Sequence, residues 1–149
     1  MGKVTDGDTK VILTKLAIIL PSYFAVLLAL DAVLSLSFSL RFRGDMAFDH
    51  AALGGGHGRP AAVLILSLLA FVPVGTALVF FVASSTTMAW DYSATVSLCH
   101  LLVAVAVTGE WPANYRWWLV FLLGTAAQIV IGEVGHYFLV DLREIKTGN

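Results

Sequence analysis

A length of 149 residues bounds the protein to one domain. With 58% hydrophobic residues, 13% charged residues and a mean hydropathy of +0.85, it lies far outside the soluble range and reads as an integral membrane protein. A formal net charge of −1 carries no footprint for nucleic acid, and the single Cys99 excludes an intrachain disulfide and a Cys-rich metal site.

Residues 1–15 hold Lys3, Lys10, Lys15, Asp6 and Asp8, and read as a short polar leader at the membrane interface. Met1-Gly2 does not open a myristoylation signal, because Asp6 stands where a hydroxyl residue is required. The first apolar span covers Leu16–Leu40, too long for a signal-peptide core. Pro21 falls in its first turns, Asp31 is buried within it, and Ser35, Ser37 and Ser39 make its far end more polar.

Residues 41–60 form the longest loop. Gly54, Gly55, Gly56 and Gly58 predict flexibility there, and the run lacks the Gly-Lys-Ser/Thr of a phosphate loop. His50, His57 and Asp49 offer metal donors, but their spacing fits no standard motif, so no metal is assigned. Pro60 begins the second span, Ala61–Val82, and Pro73 is expected to kink it. Residues 84–92 read as a polar turn ending in Trp90, Asp91 and Tyr92. Ser93–Thr108 is the third and shortest span, and residues 109–116 close a tight loop. The fourth span, Trp117–Val140, is long enough as a helix to cross a ~30 Å hydrocarbon core. Trp117 and Trp118 follow Arg116, a grouping suited to the headgroup boundary. A charged tail follows, with Arg143, Glu144 and Lys146.

The expected fold is all-α, a single four-helix transmembrane bundle with spans at about 16–40, 61–82, 93–108 and 117–140. Four spans put both termini on one side. That side holds five Lys and Arg residues against four on the other, an excess that places the termini in the cytosol. No internal repeat of the kind found in inverted-repeat transporters is present.

Polar groups inside spans are costly unless paired, protonated or wetted. His100 lies seven residues into its span and Glu133 seven before the end of its own, each ~10 Å from the same face. A Glu133–His100 pair is therefore expected. His100 shares a stripe with Ser93, Ser97 and Ala104, a small polar face suited to helix contact. Asp31 lies nearer the opposite face, where the following serines or Arg41 are expected to satisfy it. Gly124, Gln128, Gly132 and Gly135 form a second small face on the last span, with Glu133 pointing roughly the other way. His100 and His136 are poorly matched in depth for a bis-histidine haem, so no cofactor is assigned. No Ser–His–Asp or Cys–His constellation is legible, and no enzyme activity is expected. A small proton-coupled carrier or channel using Asp31, His100 and Glu133 is the alternative function.

Blocks of the last third carry a resemblance. They are Asp91-Tyr92-Ser93-Ala94-Thr95-Val96, His100-Leu101-Leu102, Pro112, Trp117-Trp118-Leu119-Val120, Ile131-Gly132-Glu133 and Leu142-Arg143-Glu144-Ile145. In this order and spacing they resemble the Sys family of Golgi integral membrane proteins, of the Sys-one type. The first half matches in layout: a span with a midway Asp, a long loop, and Gly58-Arg59-Pro60 before the second span. The resemblance implies a four-span, non-enzymatic adaptor of the trans-Golgi membrane. It implies as partner an ARF-related small GTPase with an acetylated amino terminus in place of a myristoyl anchor, and a role in traffic between endosomes and Golgi. It also implies that Asp91, Tyr92, His100, Glu133 and Glu144 bind a partner or hold the structure.

Overall fold

In the computed structural model, residues 9–53, 58–82 and 86–138 are described. Their secondary structure is entirely helical: α1 (Thr9–Ser37), α2 (Gly58–Val82), α3 (Thr86–Thr108) and α4 (Tyr115–His136), with short 3-10 turns at Met46–Phe48 and His50–Leu53. Among the described residues three helices, Thr9–Ser37, Trp90–Thr108 and Tyr115–Gly135, are long and apolar enough to cross a membrane.

Side-chain contacts set the directions of the helices. Ile12 and Leu16 of α1 share a groove with Asp91, Tyr92 and Thr95 of α3, while Tyr23 meets His100 further along both, so α1 and α3 run parallel. His100 packs on Phe121, and Ser97 bonds Thr125, so α4 runs antiparallel to α3. α2 packs against α1 and α4. One end of the assembly thus holds the start of α1 and the finish of α4; we call it the terminal end. The other, the loop end, holds residues 38–53 and 109–114.

The buried face of α1 is a stripe at every fourth residue: Ile19, Tyr23, Leu27, Asp31 and Ser35. α1 begins at Thr9, so residues 9–15 are its first two turns and not part of a separate leader. Pro21 consequently falls mid-helix, where its missing N–H removes the bond back to Ala17. The helix stops at Ser37 in a Schellman motif. Leu40 N–H donates to the Ser35 carbonyl at 2.8 Å, Ser39 N–H donates to Leu36 at 3.0 Å, and Ser39 takes φ 55°.

α3 also begins earlier than the hydropathy suggests. The polar segment expected as a turn at 84–92 is helical from Thr86 onward. The first N–H groups of a helix lack partners within it and favour polar surroundings, so hydroxyl residues suit a first turn. At its finish, Gly109 takes φ 70° and its N–H donates to Val105 at 2.9 Å. Asn114 then caps α4, its side chain accepting from Arg116 N–H at 3.0 Å.

The described part of the long loop is anchored by its apolar residues. Ala47, Phe48 and Leu53 are buried, and the Phe48 ring meets Phe24 at 6.2 Å and His100 at 5.4 Å. Trp117 likewise departs from the expected boundary position. It is fully buried and stacks on Phe121 at 4.8 Å, while Trp118 is half-buried and donates to the Pro112 carbonyl at 2.8 Å. Among the described residues the exposed aromatics at this end are Phe42 (42%), Trp111 (61%) and Tyr115 (72%). These are the rings placed to meet headgroups. Trp117 faces inward because it sits one turn before Phe121, on the same stripe of α4.

Candidate functional site

His100 is the centre of the interior. Ser93, His100 and Ala104 are all buried along one stripe of α3, as their spacing implies. The imidazole lies among Phe24, Phe48 and Phe121, at centroid distances of 6.5, 5.4 and 5.9 Å. Its Nδ1 is hydrogen-bonded to the Tyr23 hydroxyl at 2.7 Å, across from α3 to α1. Nε2 is buried without a hydrogen-bond partner. Whichever nitrogen carries the proton, one ring nitrogen faces apolar carbon.

The expected Glu133–His100 pair does not form. Glu133 is exposed on the outside of α4, and the Tyr23 hydroxyl takes the position at His100. The two residues are not level: His100 lies opposite Phe121 and Ser97 opposite Thr125, which puts Glu133 about 18 Å further along α4. Glu133 is also exposed, while Gln128 and Gly132 turn inward. Sequence reasoning missed Tyr23. The available signal was its position on the α1 stripe that also carries Asp31 and Ser35.

Asp31 is fully buried, and neither carboxyl oxygen has a hydrogen-bond partner. The residues expected to satisfy it point elsewhere. Ser35 Oγ donates to Met46 Sδ at 3.8 Å, Ser37 Oγ donates to its own helix at Val33, and Arg41 is exposed. The Ser37 hydroxyl finds its acceptor in its own helix and the Ser35 hydroxyl finds one in the loop at Met46, so neither serves Asp31.

Towards the terminal end, Thr125 Oγ1 donates to the Phe121 carbonyl at 2.9 Å and is hydrogen-bonded to Ser97 Oγ at 3.0 Å. Gln128 is buried beside them with Nε2 unpartnered. Together with Tyr23, Val72 and Gly124 these residues line a cavity of about 30 Å³. That space admits about two waters and no organic ligand. At Gly124 of the small face, a Cβ would make ordinary van der Waals contact with Val72 Cγ2 at 3.6 Å.

At the terminal end Asp91 is exposed, whereas its neighbour Tyr92 is buried in the core. Both line the groove of about 140 Å³ that they share with Ile12, Leu16 and Thr95. Glu144, like His57, lies outside the described residues, and nothing is described of the His136 side chain. At the loop end, Arg43 pairs with Asp45, with Nε donating to Oδ1 at 3.1 Å. That guanidinium holds the Asp45 carboxyl below the usual carboxylate range. Asp49 accepts from Ala51 N–H at 3.0 Å, and His50 is buried. Among the described residues no group of three or more His, Cys, Asp or Glu is arranged to hold a metal ion.

The interior is therefore a set of polar side chains that join helices: Tyr23 to His100, and Ser97 to Thr125. Asp91 and Glu133 stand outside it, open to contact at the terminal end.

Residues 2–147 match the family described as "SYS1: Integral membrane protein S linking to the trans Golgi network". The Protein SYS1 homolog of Dictyostelium discoideum is similar, 24% identical over 131 residues, covering 88% of this chain and 56% of the relative. The chain thus spans about half the length of the curated relative it matches. No solved structure matches. The family match includes the first half, which the sequence blocks resemble in layout alone. With agreement running from residue 2 to residue 147, the chain belongs to the SYS1 family of integral membrane proteins linked to the trans-Golgi network.

Proposed function

We propose that this protein is a four-span adaptor of the trans-Golgi membrane, with cytosolic termini, that recruits an ARF-related small GTPase and so supports endosome-to-Golgi traffic. The family match over nearly the whole chain carries this reading. SYS1 proteins are membrane trafficking proteins and not a known enzyme family. The physical logic is that an amphipathic helix without a lipid chain binds a bilayer weakly and reversibly, so a membrane receptor adds affinity and organelle identity. The exposed polar groups of the terminal end, Asp91 and Glu133 among them, support a contact surface on that side.

The carrier reading used Asp31, His100 and Glu133 as one intramembrane path. With Glu133 on the outer surface, the three do not share the interior, which favours the adaptor.

Deleting the protein is expected to release the GTPase from the Golgi to the cytosol. A GTPase that stays on the Golgi in the deletion overturns the proposal. Topology is tested separately in sealed Golgi vesicles, where a carboxyl-terminal epitope is expected to be accessible from outside.

A further inference from the structure

Gln128 lines the small cavity between α3 and α4, is 4% exposed, and has its Nε2 without a hydrogen-bond partner. It follows Tyr115, the first residue of α4, by thirteen residues, about 20 Å of helix at 1.5 Å per residue. That depth lies inside the hydrocarbon core of a membrane. An amide N–H there has no bulk water to turn to, and leaving it unpaired is strongly unfavourable. Its acceptor has to come from within the bundle.

A count of hydrogens shows what kind of group fits. Thr125 Oγ1 has one hydrogen, and it goes to the Phe121 carbonyl at 2.9 Å. The 3.0 Å bond between the two hydroxyls is therefore made with the hydrogen of Ser97. With its hydrogen used, Ser97 Oγ keeps only acceptor capacity, while Gln128 Nε2 is only a donor. Gln128 comes three residues after Thr125, on the same face of α4. Donor and acceptor thus line one cavity, yet no direct bond joins them. A group that accepts from one and donates to the other satisfies both.

Space decides which group. The cavity holds about 30 Å³. A water needs about 10–15 Å³ of such space, together with two to four polar partners. Lipid tails, headgroups and organic solutes are too large. A metal cation takes anionic or carbonyl oxygens as ligands, not an amide N–H. Among the described residues no group of three or more His, Cys, Asp or Glu is arranged to hold one.

We propose that the cavity between Ser97, Thr125 and Gln128 is an internal hydration site, in which one water accepts from Gln128 Nε2 and donates to Ser97 Oγ. A second water has room beside it. The bridge ties α4 to α3 where neither side chain reaches the other, and Val72 of α2 forms part of the wall. The inference stands apart from the adaptor reading and from any partner the protein recruits.

Gln128 is the only glutamine in the chain, so isotope labelling of glutamine side chains leaves one amide to observe. The full chain, labelled in this way, is reconstituted in phosphatidylcholine nanodiscs. Cross-relaxation between the Gln128 side-chain amide and water is then measured by NMR. A water cross-peak with the sign of a long-lived contact is expected, with none to the lipid chains. Ser97→Ala removes the acceptor and is expected to lose this cross-peak. Leu98→Ala, on the exposed side of the same helix, is expected to retain it. The backbone spectra check that both variants fold. In the unmodified protein, a Gln128 amide that cross-relaxes with protein or lipid protons and not with water overturns the proposal, and this reading needs no variant. A water cross-peak that survives Ser97→Ala overturns the bridge, and its loss with Leu98→Ala as well overturns the assignment to Ser97.

Discussion

Changing Tyr23 to Phe removes one oxygen and nothing else, and isolates the contact that joins α1 to α3. The 2.7 Å bond to His100 Nδ1 lies where Tyr23 is 5% and His100 0% exposed. Without the hydroxyl, both ring nitrogens of His100 face Phe24, Phe48 and Phe121 with no polar group in the lost position. An unsatisfied buried group costs ~1–3 kcal/mol in water-soluble cores, whereas polar contacts between membrane helices average ~0.6 and reach ~1.7 kcal/mol. The aromatic surroundings offer His100 no replacement partner, so Tyr23→Phe is expected near the top of the membrane range, about 1.5 kcal/mol. His100→Phe keeps a ring in the cage and is expected to cost a similar amount through the stranded hydroxyl. The double variant leaves neither group stranded and is expected to cost less than the sum of the singles, by about 1 kcal/mol. The assay is reversible unfolding in detergent or mixed micelles, read as a double-mutant cycle. Glu133→Ala with His100→Ala serves as the reference pair and is expected to be additive. Additive losses for Tyr23 and His100, or coupling between Glu133 and His100, refute the reasoning.

Further expectations concern single positions, each read in the same unfolding assay. Ser39 occupies left-handed backbone at φ 55°, so Ser39→Gly is expected to stabilise by roughly 0.5–1 kcal/mol. Trp117 is fully buried and stacked on Phe121, so Trp117→Ala is expected to cost about 3–5 kcal/mol. Asp31 has no hydrogen-bond partner to lose, so Asp31→Asn is expected to change stability by less than about 1 kcal/mol; a larger loss reveals a charged partner. Arg43 depresses the Asp45 carboxyl, so the pair's contribution is present above the unfolded value of about 3.9 and is lost as pH falls through the lower folded value. Hydrogen-exchange protection factors of residues 43–48, corrected for the intrinsic pH dependence of exchange, are therefore expected to be unchanged between about pH 7 and 5, with a loss of protection only below about pH 4.

The existence of the helices was written in hydropathy, because apolar runs of membrane-spanning length leave the backbone one economical way to satisfy itself. Their ends were not. The first turns of α1 and α3 carry Lys10, Lys15, Thr86 and Asp91, polar residues that hydropathy assigns to loops. A helix end tolerates and favours such residues, so composition and structure part there. Membership of a Golgi membrane family was likewise legible in the spaced blocks from Asp91 to Ile145, and the match extends over residues 2–147.

Relative depth was not legible, since rise per residue converts sequence position to height only once the true helix bounds and register are known. α3 begins at Thr86 and α4 at Tyr115, and the register sets His100 level with Phe121, with Glu133 about 18 Å further along α4; the small face through Gln128 and Gly132 does turn inward. What the chain alone could not decide was rotation between helices and the path of the long loop. Those depend on which stripe of each helix finds a partner, a property of all the helices at once. Tertiary packing gave His100 to Tyr23 and left Glu133 outside. It also drew Phe48 and Trp117 into the core from segments that read as loop and membrane boundary. The physical reason is common to all four: a residue's type sets the cost of leaving it unpaired or wet, while only the assembled neighbours determine whether a better place exists.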